Sequence, residues 1–113
     1  NANSLVLAIE YAGRRIVLTG DLEQGGLGDL LARPRDTIDL FLAPHHGSPR
    51  SNIDLLGAWA HPGWVVLSAA DPRQTAKLAG RYPADTPLLN TAAHGRIRTV
   101  ITPDGTLTVE TYR

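Results

Sequence analysis

The first apolar run, residues 4–10 (SLVLAIE), is almost unbroken and bounded by turn residues, the pattern of a strand buried on both faces. Tyr11-Ala12-Gly13 separates it from residues 15–19 (RIVLT). So short a connection, with a glycine in it, predicts an antiparallel hairpin. Leu22, Leu27, Leu30 and Leu31 follow a weak helical spacing over residues 22–33. Gly25, Gly26 and Gly28 put the start of that helix near Leu27, and Pro34 ends it. Residues 38–43 (IDLFLA) read as a third buried strand that runs into the loop PHHGSP at 44–49. Ser51 or Asn52 is placed to cap a helix carrying Ile53, Leu55, Leu56 and Trp59, and Pro62-Gly63 breaks it. Residues 64–68 (WVVLS) predict a fourth strand and residues 74–81 a short helix. Residues 88–90, 97–102 and 106–111 are late strands, the last two joined by the turn Pro103-Asp104-Gly105. Strands alternate with helices in the middle and pair as hairpins at the ends. The fold class expected is α/β, built on an α+β mixed sheet.

Composition narrows the chemistry. The 113 residues suffice for one small domain, and 42% hydrophobic residues suffice for a packed core. Eleven basic residues balance eleven acidic ones, which argues against a clamp that holds nucleic acid by bulk charge. There is no cysteine, so a disulfide scaffold, a thiolate zinc site and a cysteine nucleophile are excluded. No apolar run is long enough to span a bilayer, and the start lacks the layout of a signal peptide. The nucleophile elbow, the phosphate-binding loop ending in Lys, the H-E-x-x-H pair and the dinucleotide glycine pattern are all missing. Gly25-Gly26-Leu27-Gly28 is a loose glycine-rich connection with no Lys after it.

Three segments remain as candidate chemistry. In Thr19-Gly20-Asp21 a carboxylate follows a buried strand on a backbone free to turn, where it can hold a metal through oxygen or cap the next helix. Pro44-His45-His46-Gly47-Ser48 also follows a buried strand. On an extended loop the two imidazoles point in roughly opposite directions, so one reaches a metal while the other donates a hydrogen bond or a proton; the alternative is two solvent histidines. Ser48 offers a hydroxyl to a phosphate or to the next helix. Asn1-Ala2-Asn3-Ser4 can orient substrate, or is simply the end of the chain. His61 suits a helix end and His94 a turn.

Together N-x-N-S-L-V-L, R-R-I-V-L-T-G-D-L-E and D-L-F-L-A-P-H-H-G-S resemble the second half of the metallo-β-lactamase-like domain of ComEC-type DNA-uptake (competence) proteins. The resemblance covers residues 1–68 well and the rest loosely. It implies half of an αββα sandwich, with 1–113 as the C-terminal part of the domain and the N-terminal half and membrane channel upstream. It also implies a soluble domain of an integral membrane parent at the bacterial cell membrane. In such a site two divalent ions, zinc or manganese, activate a water for phosphodiester hydrolysis. By the resemblance Asp21 and one of the two histidines, His46 or else His45, ligate metal, the other histidine and Asn3 serve catalysis, and Ser48 and Arg50 are placed to touch the DNA backbone. The partners implied are DNA, the missing half of the same domain, and a second copy when the piece stands alone.

Two departures qualify that picture. The principal ligand motif, H-x-H-x-D-H, is absent from the chain, and residues 69–75 (AADPRQT) hold no histidine where the family carries one. The piece alone is therefore expected to be inactive. A degenerate, non-catalytic domain that guides DNA or docks beside the channel is the alternative, and a lactonase or thioesterase of the same superfamily a third.

Overall fold

The computed structural model describes residues 5–22 and 24–112. The first hairpin forms as the sequence predicts. β1 (Leu7–Tyr11) and β2 (Arg14–Leu18) pair antiparallel, Leu7 with Leu18 and Tyr11 with Arg14. Ala12 (φ 51°) and Gly13 (φ 81°) are both left-handed, the pairing of a two-residue turn whose twist matches the strands. α1 (Gln24–Leu31) starts earlier than Leu27 and stops before Arg33. Burial of Leu22, Leu27 and Leu30 in the core outweighs the glycines that disfavour its first turn.

β3 (Leu40–Leu42), α2 (Asp54–Ala60), β4 (Trp64–Leu67), α3 (Gln74–Lys77) and β5 (Leu88–Asn90) complete one sheet of order β1-β2-β3-β4-β5. β2 to β5 run parallel and only β1 is reversed. α4 (Thr91–His94) follows β5 where the sequence suggests only a turn, because the Asn90 side chain accepts from Ala92 N at 2.8 Å and caps it. β6 (Arg96–Ile101) and β7 (Leu107–Tyr112) form a separate antiparallel hairpin. Its tip is fixed at the β1–β2 corner, where Arg14 Nε donates to Gly105 O at 2.6 Å.

The register sorts the sheet into two faces, since paired residues share a face. Val17, Phe41, Val65 and Leu67 lie on one face, packed with Leu22, Leu27 and Leu30 around α1, Leu56 and Ala60 of α2, and Leu78 and Tyr82 beyond α3. Leu7, Ile9, Ile16, Leu18, Leu40, Leu42 and Val66 lie on the other. Leu40 and Val66 are buried there, whereas Leu7, Ile9 and Tyr11 are 48%, 42% and 50% exposed. The expectation that the first strand is buried on both faces is thus corrected. Among the described residues β1 is an edge strand with one neighbour, and every one of its residues is exposed. No helix among the described residues is long and apolar enough to cross a membrane.

Candidate metal centre

Ligands of parallel sheets bind beyond the carboxyl ends of the strands, and both histidine-bearing and carboxylate-bearing segments lie there. At the end of β2, Thr19 is fully buried and its hydroxyl donates to Leu42 O at 2.6 Å, locking the ends of β2 and β3 together. Gly20 (φ 57°) turns the chain so that Asp21 projects into solvent. Leu22 N returns to Thr19 O at 3.2 Å, and His45 N donates to Gly20 O at 2.8 Å. That last bond draws the loop after β3 onto the loop after β2.

The loop itself differs from the extended segment expected. Pro44–Gly47 is one tight turn in which His45 (φ 52°, ψ 50°), His46 (φ 54°, ψ 27°) and Gly47 (φ 84°) are all left-handed. A left-handed residue other than glycine costs about 1–2 kcal/mol, so the two histidines store several kcal/mol that their surroundings must hold. The two rings therefore do not diverge as they would on a strand: their centroids are 6.4 Å apart.

Four contacts hold the turn. Asn52 is fully buried, and its Nδ2 donates to Pro44 O at 2.9 Å and to Ser48 O at 2.7 Å. Tyr82 donates its hydroxyl to Asn52 Oδ1 at 2.6 Å. Gln74 Nε2, from α3, donates to Gly47 O at 2.7 Å. The cap role expected for Asn52 is corrected here: Ile53 precedes α2 with no side-chain cap, and the Asn52 amide is spent on the histidine turn. Burial also pushes the Tyr82 hydroxyl well above its ordinary range, so it stays protonated and able to donate.

The turn brings His46 between two acceptors. Its Nδ1 lies 2.9 Å from Ser68 O, at the end of β4. A carbonyl only accepts, so Nδ1 carries the hydrogen and Nε2 of the neutral ring presents its lone pair. That Nε2 is 3.6 Å from Asp21 Oδ1, too long for a hydrogen bond. The two groups face each other across a gap that a proton, a water molecule or a cation can occupy. Two donors of one tetrahedral ion lie about 3.4 Å apart, so Asp21 and His46 fit such an ion as a pair. A backbone carbonyl fixing the far nitrogen is also the usual support of a ligating imidazole. Both side chains are about two-thirds exposed, at 65% and 67%.

The fit stops at two donors. Among the described residues no group of three or more His, Asp or Glu side chains could hold a metal. Asp71, at the same rim beyond β4, is turned aside: its Oδ1 accepts from Arg73 N at 2.9 Å and from Arg73 Nε at 3.1 Å. The Arg73 hydrogen bonds hold its carboxyl below the usual range. Ser48 organises the loop, its carbonyl accepting from Ser51 N, Asn52 N and Asn52 Nδ2. Arg50 is exposed beside it. Asn3 lies outside the described residues. His61 ends α2 in a left-handed conformation (φ 35°), and His94 accepts from Asn90 N at 3.0 Å, both local structural roles. Sequence reasoning missed Asn52 and Tyr82 as partners of the turn; two residues so far apart in the chain give no local signal of contact.

A cavity of about 490 Å³ lies elsewhere, between β1, β2 and α1, lined among others by Val6, Val17, Leu30 and Trp59. Leu22 lines it, but neither Asp21 nor His46 does. The class defined by fold and site is an α/β chain with a mostly parallel sheet and a carboxylate–imidazole pair at its carboxyl rim. No protein-family model matches the chain, and no curated protein matches it.

Proposed function

We propose that this chain supplies the Asp21–His46 half of a divalent-metal centre in a metallo-β-lactamase-like hydrolase acting on phosphodiesters, DNA in the first place. The observation that carries the reading is the convergence of Asp21 Oδ1 and His46 Nε2 at 3.6 Å on a strained, buttressed turn. Zinc or manganese bound there supplies Lewis acidity and lowers the pKa of water. The chain's own part is to orient the donors. Asp21 offers a hard carboxylate oxygen, Ser68 O fixes the His46 tautomer, and His45 is the adjacent group for proton transfer. Ser48 and Arg50 flank the turn, where a phosphate backbone would pass. Asn3 of this chain is the assisting group, and the remaining ligands would come from the partner half of the same domain. The apolar row Leu7, Ile9 and Tyr11 on β1 supports such a partner, since it is a surface suited to being covered. The parent would then be a DNA-uptake protein of the bacterial membrane.

A second reading has its own support. Where a further histidine would be needed, the chain has Ala69 and Ala70, and Asp71 is tied to Arg73. That favours a non-catalytic domain that keeps the fold and guides DNA. One experiment separates them. Manganese titrated into the chain should broaden the NMR signals of His46 and Asp21 first, and Asp21→Asn should remove that selectivity. In the full-length protein Asp21→Ala should abolish divalent-dependent cleavage of DNA. Equal broadening at His46, His61 and His94 overturns the metal site; selective binding with unchanged cleavage overturns the hydrolase.

A further inference from the structure

We propose that Asn52 and Tyr82 are positioning residues that clamp the double left-handed histidine turn and thereby set the tautomer and reach of His46. The geometry is specific. The two N–H groups of the Asn52 amide go to the carbonyls at the two ends of the turn, Pro44 at 2.9 Å and Ser48 at 2.7 Å, so the chord across His45-His46-Gly47 is fixed. The remaining polar atom, Oδ1, is taken by the Tyr82 hydroxyl at 2.6 Å. That bond fixes which way the amide faces: an amide turned the other way would set its N–H groups against the hydroxyl and its oxygen against the carbonyls.

Burial gives the clamp its force. Asn52 is 0% and Tyr82 6% exposed, so water does not replace a lost partner. Tyr82 is held in turn by Phe41, its ring centroid 6.3 Å away, and by the close passage of the 81–82 backbone over Gly57. The clamp therefore transmits the position of the core to the rim. Without it, the turn keeps only the bonds of Gln74 to Gly47 O and of His45 N to Gly20 O against the cost of two left-handed histidines. Relaxation of either residue swings His46 away from Ser68 O, and the ring loses the bond that keeps the proton on Nδ1.

This inference rests on the reading of His46 as a metal donor for its purpose, although the tautomer can be tested without any metal. Tyr82→Phe removes one hydroxyl and keeps the ring; Asn52→Ala removes the whole clamp. Ile38→Val, in the buried segment just before β3, is a control that loosens the core away from the rim. The first readout is the ring nitrogen chemical shifts of His46, which distinguish Nδ1–H from Nε2–H. The second is manganese affinity by calorimetry.

Wild type and Ile38→Val should show the Nδ1–H form, and Tyr82→Phe a mixture of the two tautomers. Manganese affinity should fall about 10- to 100-fold in Tyr82→Phe, the usual effect of losing a group that orients a ligand. A tautomer shift in Tyr82→Phe with no manganese binding in wild type supports the clamp and overturns the metal reading alone. An unchanged tautomer in folded Tyr82→Phe overturns the clamp, whether or not Asn52→Ala folds. An equal shift in Ile38→Val also overturns it, because general loosening would then suffice.

Discussion

Replacing Gly57 and Gly28 by alanine, one at a time, should move stability in opposite directions. Both glycines lie inside helices, where alanine is worth about 1 kcal/mol over glycine. At Gly28, in α1, an added Cβ meets nothing within 4 Å. Gly28→Ala should therefore stabilise the chain by about 0.5–1 kcal/mol. At Gly57, in α2, the same Cβ would stand 1.9 Å from Arg81 O and 3.1 Å from Tyr82 Cα. Relief requires the helix and the 81–82 backbone to separate by about 1 Å or more, and that backbone is anchored. Arg81 N donates to Leu78 O at 2.9 Å and Tyr82 is buried on Asn52. Overpacking of this kind costs about 1–3 kcal/mol or more. Taking the upper end and subtracting the helical gain leaves Gly57→Ala less stable by about 2 kcal/mol, or roughly 8 °C in melting temperature. Urea unfolding followed by circular dichroism and by Trp59 and Trp64 fluorescence measures both variants, with the slope required to stay constant. If Gly57→Ala is as stable as wild type, the close approach of α2 to residues 81–82 is refuted, and the anchoring of Tyr82 with it.

Other outcomes follow from features at the rim and the edge. Gly47→Ala sets a Cβ 2.9 Å from Leu67 Cδ2 at a left-handed residue (φ 84°), so it should destabilise by about 2–3 kcal/mol in the same urea assay; a neutral effect would contradict the turn. Because burial raises the Tyr82 hydroxyl pKa above that of the unfolded chain, its contribution is complete below about pH 10 and is lost as pH rises further. Melting temperature should therefore drop above about pH 10, and less so in Tyr82→Phe; identical alkaline profiles would argue against the burial. The exposed apolar row on β1 predicts concentration-dependent association, which Ile9→Lys should suppress in sedimentation velocity. Association that ignores Ile9→Lys would place the contact elsewhere.

The middle of the fold was legible because parallel strands are apolar without alternation. Residues 38–43 and 64–68 needed no tertiary information to be read as β3 and β4, and Tyr11-Ala12-Gly13 announced the hairpin. Asp21 and the His45-His46 pair were legible as strand-end chemistry, and the structure brings Asp21 and His46 together. What sequence hides is anything set by neighbours. Residues 4–10 look buried because they are apolar, yet among the described residues β1 has a partner on one side only. The histidine pair looks extended because nothing local forces φ positive at His45 or His46. The force comes from Asn52, itself held by Tyr82, whose contact exists only after the sheet is assembled. A local N-cap was the simplest use for an Asn before a helix, and burial gave it a different one.

The parallel pairing of β2, β3, β4 and β5 carries a consequence for folding kinetics. Ile16 meets Leu40, Leu40 meets Trp64, and Val65 meets Leu88, each across a whole crossover rather than a tight turn. Such pairings close long loops before they gain contacts, which slows folding relative to helical chains of the same size. Asp21 follows β2, His46 follows β3 and the Ser68 carbonyl follows β4. No single hairpin or helix pair contains the site, so no local folding unit preserves it. A probe that reports the His46 tautomer is accordingly a clock for the assembly of the sheet's centre, reading native only when three successive strands have found their register.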